Sequence, residues 1–378
     1  MSKWSTTKET DMETKLFNFE AMPLPVFKEV RGKEWVSFGE NNLYPDDLIN
    51  LMQTSAIHNT AIQSKTDAVV GEGVEEYGNT IVNSKGETLN EIYEKIAYDK
   101  TMFNGYALNV IWSRGGDKVA EIYHLPFANV RSGKLNDEDV VEEYYCSNHW
   151  SNTRKYKPVR YAAYSTTNNR RDNASQVFYQ YDYSPASDVY PLPDYIGAVN
   201  DIELDARISR FHNANISNGL SPSLFVNMPN GEPEDDEKKR LWRDLTASFS
   251  GEENAGRLML TFSEGPELAP QIQTIDAAND DYYIILEERI TSRILTAHRI
   301  TSPLLVGIRA TGTGLGSNSE EIEVAYVHFL STVIQPIQKS INRSLSKVLW
   351  NMSPETSGTI IQTIPSRMDF NTTQQIEE

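Results

Sequence analysis

The most restrictive feature of this sequence is a periodic run of apolar residues near its C-terminus. Its members recur at steps of three and four: Ile322, Tyr326, Phe329, Val333, Ile337, Ile341, Leu345 and Val348. This spacing predicts a long amphipathic helix with one continuous buried face. Pro336 lies inside the run and cannot donate a backbone hydrogen bond, so we expect a kink near residues 332–336.

Two further long helices are predicted on either side of an insertion. The first, over residues 195–218, has two apolar stripes and is therefore expected to be contacted from two sides. The stripes are Val199, Ile202 and Ala206, and separately Leu204, Ile208 and Phe211. The second helix, over residues 280–300, has an apolar face of Leu286, Ile290, Ile294 and Ala297. The insertion is predicted to hold a strand, a charged helix and a second strand, at residues 224–228, 234–249 and 257–262.

The N-terminal half combines helices with short strands. Residues 1–35 are polar and are interpreted as an arm, after which Pro45 suits the first turn of a helix. A second helix is expected to end at Gly71, because glycine can take the positive φ of a C-cap. Runs of β-branched and aromatic residues predict strands at 107–112, 119–124, 140–145 and 159–164. Residues 172–193 are interpreted as an irregular connection and the segment after Trp350 as a loosely ordered end. The fold class is therefore α+β.

Composition restricts the function more than it identifies it. The formal net charge is −18, with 53 acidic and 35 basic residues, which argues against a protein that clamps nucleic acid through Lys and Arg. Two explanations of the acidity are kept: it lines a passage and repels the phosphates of DNA, or it serves only solubility. The single cysteine, Cys146, excludes an internal disulfide and a Cys-based zinc cluster and is interpreted as a strand residue. The sequence contains no run of about 18 apolar residues, so no membrane-spanning helix is predicted.

One glycine-rich loop is a candidate phosphate-binding site. Residues 312–317 read GTGLGS, and glycine-rich loops before helices can bind phosphate. The spacing matches neither the dinucleotide nor the P-loop motif, and no lysine follows, so a mobile loop is the preferred interpretation. The six histidines are scattered without metal-ligand spacing. We therefore predict no enzyme, no metal and no cofactor, and keep a nucleotide-binding enzyme as the alternative.

The order of several segments resembles that of phage portal proteins of the siphophage type. These segments include FGENNLYP at 38–45, FHNANISNG at 211–219, SLFVNMP at 223–229 and ITSPLLVG at 300–307. The sequence departs from the family at Thr301-Ser302-Pro303, where Val-Pro-Pro is more usual. The resemblance implies a portal fold with an α+β wing, a helical stem, a small α/β clip and a long kinked C-terminal helix. Its implied parts are an arm at 1–35, the wing at 36–194 and 321–350, stem helices at 195–219 and 277–302, the clip at 220–276, a tunnel loop at 303–320, and a tail or start of a crown at 351–378.

The resemblance also implies a function. Portal proteins form a ring, usually of twelve subunits, at one capsid vertex, where the genome is packaged, retained and ejected and the tail is joined. The implied partners are the major capsid protein, the terminase packaging motor, a head–tail adaptor and double-stranded DNA, with synthesis in the host bacterial cytoplasm and location in the virion. A scaffold protein without a channel is the second alternative. The residues assigned to the tunnel loop and DNA channel are Gly307, Arg309, Thr311, Gly312, Thr313, Gly314, Gly316 and Asn318.

Overall fold

The computed structural model describes residues 25, 27–166, 172–185, 187, 189–218, 224–228, 233, 236–240, 258–262, 280–308 and 319–366. Its long helices are α1 Tyr44–Thr54, α2 Ala56–Val70, α3 Leu89–Phe103, α4 Val199–Asn218, α5 Asp280–Ala297, α6 Ser319–Phe329 and α7 Gln335–Leu349. A π-helical segment, Leu330–Ile334, joins α6 to α7. The predicted long C-terminal helix therefore exists, with its irregularity placed just before Pro336.

The strands of the N-terminal half form one main sheet. In chain order the strands are β1 Lys28–Glu29, β2 Val36–Ser37, β3 Gly73–Val74, β4 Gly105–Trp112, β5 Val119–Leu125, β6 Val130–Ser132, β7 Glu143–Cys146, β8 Val159–Ala163 and β9 Ser175–Tyr181. The sheet has six strands in the order β5-β4-β9-β8-β7-β6, antiparallel except between β8 and β9. All four predicted strands are confirmed. The prediction of an irregular connection over residues 172–193 is wrong where β9 runs through the centre of this sheet.

Local sequence explains where the helices begin and end. At the start of α3, the Thr88 hydroxyl accepts a hydrogen bond from the Glu91 backbone N–H, and the Glu91 carboxylate accepts one from the Thr88 N–H. This reciprocal capping box satisfies two backbone donors that the helix itself leaves free. Asn104 ends α3 in the left-handed region, with φ of +61°. Pro45 lies in the first turn of α1, as the sequence predicts.

Two apolar clusters form the core. The first joins α3, the sheet and α7, and includes Ile96, Leu108, Ile122, Ile341 and Leu345. The second joins α1, the other face of the sheet and the bases of α4 and α5. Both clusters contain residues from distant parts of the chain, so the main sheet and the long helices are packed together.

The segment after α7 is folded back onto the chain between α2 and α3. A 3₁₀ turn, Pro354–Thr356, leads to β12, Thr363–Ile364, which pairs antiparallel with β3. Gly71 has φ of +58°, and a Cβ there would lie 2.1 Å from the Ile364 carbonyl oxygen. The expectation of a loosely ordered end after Trp350 is therefore wrong for residues 351–366. Within the predicted N-terminal arm, β1 pairs with β2, and most of residues 1–35 lie outside the described residues.

The insertion between α4 and α5 contains the two strands that the sequence predicts. They are β10, Leu224–Met228, and β11, Leu258–Phe262, and they pair in parallel with Leu224 opposite Leu258. Residues 236–240, within the predicted charged helix, are helical. The rest of that helix lies outside the described residues. A parallel pair requires a crossover between its strands, which is consistent with a small α/β unit.

Candidate functional site

The loop assigned to the DNA channel is held between two well-packed ends. Its upstream end is a 3₁₀ turn, Pro303–Val306, which Gly307 closes with φ of +72°. Gly307 is required for that angle and not for space, since a Cβ would meet nothing within 4 Å. The other predicted site residues lie outside the described residues: Arg309, Thr311, Gly312, Thr313, Gly314, Gly316 and Asn318. The structure resumes at Ser319, the first residue of α6.

The two ends are tied to each other by one hydrogen bond. Pro336 has no N–H, so the Thr332 carbonyl four residues earlier loses its usual α-helical donor. The Arg299 guanidinium donates to that carbonyl, with 2.7 Å between Nη2 and the oxygen. Arg299 itself follows α5 in the left-handed region, with φ of +61°. The chain just upstream of the loop therefore supplies the donor that the helix downstream of the loop lacks.

Apolar packing supports the same connection. Ile300 and Val306, upstream of the loop, are buried in the first core cluster together with Phe329 and Val333 of the helix downstream. An open groove beside α5 is lined by Ile284, Leu295, Thr296, Ile300, Pro303 and Ile308. The described ends of the loop are thus fixed, and the predicted site residues lie between two rigid supports.

The end of α5 meets α2 at a buried histidine pair. The His58 Nδ1 and His298 Nε2 atoms lie 2.9 Å apart, and both rings pack against Tyr195. Burial, reinforced by the nearby Lys65 charge, lowers the pKa of His58 to about 3. The same causes, together with His58, hold the pKa of His298 well below its usual range. Both rings are therefore neutral at physiological pH, and one donates to the other.

Sequence reasoning missed this pair and the lysine beside it. Lys65 is fully buried, and its Nζ lies 3.7 Å from an Asp194 carboxylate oxygen. His58 and His298 are 240 residues apart, so no local spacing could reveal them. Within the described part of the chain, no three His, Cys, Asp or Glu side chains are grouped as a metal site would require. The pair therefore joins α2 to the end of α5 as a structural contact.

The prediction for Cys146 is confirmed. The residue is the last of strand β7, and burial raises the pKa of its thiol to about 12. A thiol held protonated at physiological pH is a poor nucleophile.

Helices α4 and α5 pack against each other with one face and leave the other open. Ile202, Ala206, Ile290 and Ile294 are buried, and the Arg293 guanidinium lies 3.3 Å from an Asp201 oxygen. The first predicted stripe of α4 is therefore buried within the chain. Large apolar side chains remain exposed on the outer faces of three helices: Leu204 on α4, Ile284 and Ile285 on α5, and Val324 and Val327 on α6. Pairs of large apolar side chains exposed on one helix, such as Ile284 with Ile285 and Val324 with Val327, are available for contact with another surface.

A comparison with protein-family models gives a match over most of the chain. The model of the phage portal protein matches residues 84–375. The chain belongs to the phage portal protein family. This match includes the main sheet, the insertion, the glycine-rich loop and the long helices that follow.

Curated relatives of this portal family member are distant. An uncharacterized protein of Rickettsia felis (strain ATCC VR-1525 / URRWXCal2) is 27% identical over 281 residues, which is 73% of this chain and 67% of the relative. A probable portal protein of Haemophilus phage HP1 (strain HP1c1) is 24% identical over 182 residues, 45% of this chain. The latter match spans 52% of the relative, so the chain covers about half of that phage protein.

Solved structures agree with the family at the level of the fold. A chain from the neck of a native gene transfer agent particle with C12 symmetry superposes with a TM-score of 0.56, at 15% identity and over 86% of each chain. A chain from the virion of that particle gives a TM-score of 0.54 at 16% identity, over 86% of this chain and 85% of the other. At such low identity the likeness concerns the fold alone, and the mixed portal fold predicted from the sequence is confirmed. Among the described helices, none has the length and apolar character needed to cross a bilayer.

Proposed function

We propose that this chain is one subunit of a portal ring that forms the DNA channel at one vertex of a phage-like capsid. Membership of the portal family is the observation that carries the proposal. The ring serves genome packaging, retention and ejection and joins the head to the tail. Its partners are the major capsid protein, the terminase motor, a head–tail adaptor and the double-stranded DNA that passes through. The protein is then located in the virion.

The parts of the chain receive roles in this ring. Residues 36–194 and 321–350 form the wing, α4 and α5 lie within the stem at 195–219 and 277–302, and residues 220–276 form the clip. The loop over 303–320 faces the channel, with Gly307 and Arg309 at its upstream end. Because the described ends of the loop are packed in the core, we expect any movement in this region to concentrate between residues 308 and 318. A loop that shifts between rigid helices can follow DNA as it moves.

The exposed apolar faces support ring formation. Ile285 on α5 and Val324 on α6 are 63% and 70% exposed in the single chain. In a cyclic ring each subunit presents two different surfaces, so one face of a stem can contact a different face of the next copy. The subunit number of twelve is supported by the C12 symmetry of the structurally similar neck.

Electron microscopy of the purified protein tests the proposal directly. We expect annular particles with a central channel. Ile285→Asp and Val324→Asp should dissociate them, because each buries a charge in the contact between copies. Ile81→Asp is the matched control, since Ile81 is also 63% exposed but lies on the wing, and its rings should persist. A monodisperse monomer from the unmodified chain would contradict the ring.

The two alternatives give different results in the same preparation. A nucleotide-binding enzyme predicts saturable ATP or GTP binding that is lost when glycines 312, 314 and 316 are replaced. A scaffold without a channel predicts assemblies that lack a central opening. Rings with a channel and no nucleotide binding would favour the portal function over both.

A further inference from the structure

The connection between β7 and β8 concentrates positive charge in an acidic protein. From Cys146 to Arg171 the sequence contains no aspartate or glutamate, although the chain has 53 acidic residues. The same stretch contains six basic residues: Arg154, Lys155, Lys157, Arg160, Arg170 and Arg171. The first four lie within the described hairpin. A local field of this sign attracts anions even when the net charge of the whole molecule is negative.

The hairpin is held firmly against the sheet. Trp150 anchors it, because the indole N–H donates to the Asn129 carbonyl at 3.0 Å and the ring packs against Trp35 and the Arg131 guanidinium. Closer to the tip, the Asn152 side-chain oxygen accepts a hydrogen bond from the Lys155 backbone N–H at 3.2 Å. The basic residues are therefore displayed on a fixed support, which lowers the entropy cost of binding a partner.

The charges at the tip have no ion-pair partner within the described chain. Arg154, Lys155 and Lys157 are exposed, and none of the described carboxylates pairs with them. Arg160 differs, because it forms an ion pair with Glu143. Lys65 and Lys100, by contrast, are buried beside Asp194 and Asp182. The tip residues are thus the part of the hairpin that can neutralise an external anion.

The surroundings of Tyr156 narrow the class of partner. Its ring is tilted against that of His149, with centroids 4.2 Å apart, and the Lys155 Nζ lies 4.9 Å from the ring centroid. Among residues 146–163, Tyr156 is the one exposed Tyr, Phe or Trp side chain, whereas a single-strand binding surface stacks successive bases on several aromatic rings. Protein interfaces are depleted of lysine at their centre, so this surface is unlike them. Three exposed cations within four consecutive residues match the phosphate backbone of a duplex.

We propose that Arg154, Lys155 and Lys157 form a surface that binds the phosphate backbone of double-stranded DNA, independently of base sequence. The surface lies on the β7–β8 hairpin and not on the glycine-rich loop, so it is a DNA contact separate from the proposed channel loop. Binding through it does not require a closed ring. Failure of this inference therefore leaves the ring proposal untouched, and failure of the ring leaves the hairpin contact intact.

Fluorescence anisotropy with a labelled duplex of about 30 base pairs tests the surface. Each neutralised phosphate contributes about 0.9 to the slope of log affinity against log salt, so three contacts contribute about 2.7. Replacing all three residues by Gln should lower the slope by that amount. Raising NaCl fourfold, from about 50 to about 200 mM, should then weaken the unmodified protein about 40-fold more than the variant.

Controls separate this surface from general charge effects. A matched variant, Arg114→Gln with Lys118→Gln and Lys347→Gln, removes three other exposed cations and should keep the original slope. Equal slopes for the unmodified protein and the hairpin variant, or no binding at the lowest salt, would overturn the inference. An extended polyglutamate peptide is the competitor. If it displaces the duplex at equal charge concentration, the surface binds acidic protein and the DNA assignment is wrong.

Discussion

The hydrogen bond between Arg299 and the Thr332 carbonyl can be tested by a double-mutant cycle with Pro336. Arg299→Met removes the donor but keeps the aliphatic stem of the side chain. Pro336→Ala restores the backbone N–H that an α-helix would direct at the same carbonyl. If the Arg299 guanidinium substitutes for that N–H, Arg299→Met should destabilise the helix only when Pro336 is present.

The expected magnitude follows from the geometry of the contact. A hydrogen bond from a charged donor contributes about 1.5–3 kcal/mol, but Arg299 is exposed, so we expect about 1 kcal/mol. In the Pro336→Ala background the cost of Arg299→Met should fall close to zero. The coupling energy is then about 1 kcal/mol, which corresponds to about a fivefold change in local opening.

Hydrogen–deuterium exchange of a peptide covering residues 319–349 measures this opening locally. Arg299→Met alone should speed exchange about fivefold, and the double variant should exchange like Pro336→Ala. The comparison between the two backgrounds also cancels the effect of proline on the unfolded chain. An equal increase in exchange in both backgrounds would refute the reasoning, because the two groups would then not share the carbonyl.

Three further predictions concern other parts of the molecule. Gly71→Ala should destabilise the fold by about 2–4 kcal/mol in thermal melts, through its positive φ and the clash with the Ile364 carbonyl, whereas the open Gly86→Ala should show only the cost of its own φ. Below about pH 6.5 the unfolded chain protonates His58 and His298, which the fold keeps neutral. The free energy of unfolding should therefore fall by up to about 1.4 kcal/mol per pH unit for each of these two histidines. This fall continues towards the pKa of about 3 of His58, and urea titrations should show a shallower pH dependence in His298→Gln; an unchanged dependence would contradict it. Replacing Gly312, Gly314 and Gly316 together by alanine should preserve rings but reduce the number of filled heads in a complementation assay. A normal yield of filled heads would show that the loop only connects α5 to α6.

The helices and strands with strong local signals could be predicted from the sequence. The start of α1 at Tyr44-Pro45, the end of α2 at Gly71 and the apolar faces of α5 and α7 depend on neighbouring residues, and all are confirmed. The same holds for β10 and β11, although their parallel pairing joins residues on both sides of a helical segment.

Features that depend on distant contacts were missed. β9 lies in a stretch rich in turn-forming residues and becomes a strand because it pairs with both β4 and β8. The His58–His298 contact has no local pattern, since packing of α2 against the end of α5 creates it. α3 was missed although its capping box, Thr88 with Glu91, was readable. The fixed ends of the predicted loop depend on Arg299, which no helical periodicity singles out.

The pairing of β12 with β3 has a consequence for how the protein is made. Val74 pairs with Thr363 in the β3–β12 ladder, so residues 74–363 must all be synthesised before this contact can form. Contacts between residues so far apart in sequence form slowly, because a long loop must close first. A nascent or truncated chain that lacks residues 351–366 would leave the end of α2 uncovered. We therefore expect the β3–β12 pair to form only after translation has passed residue 364.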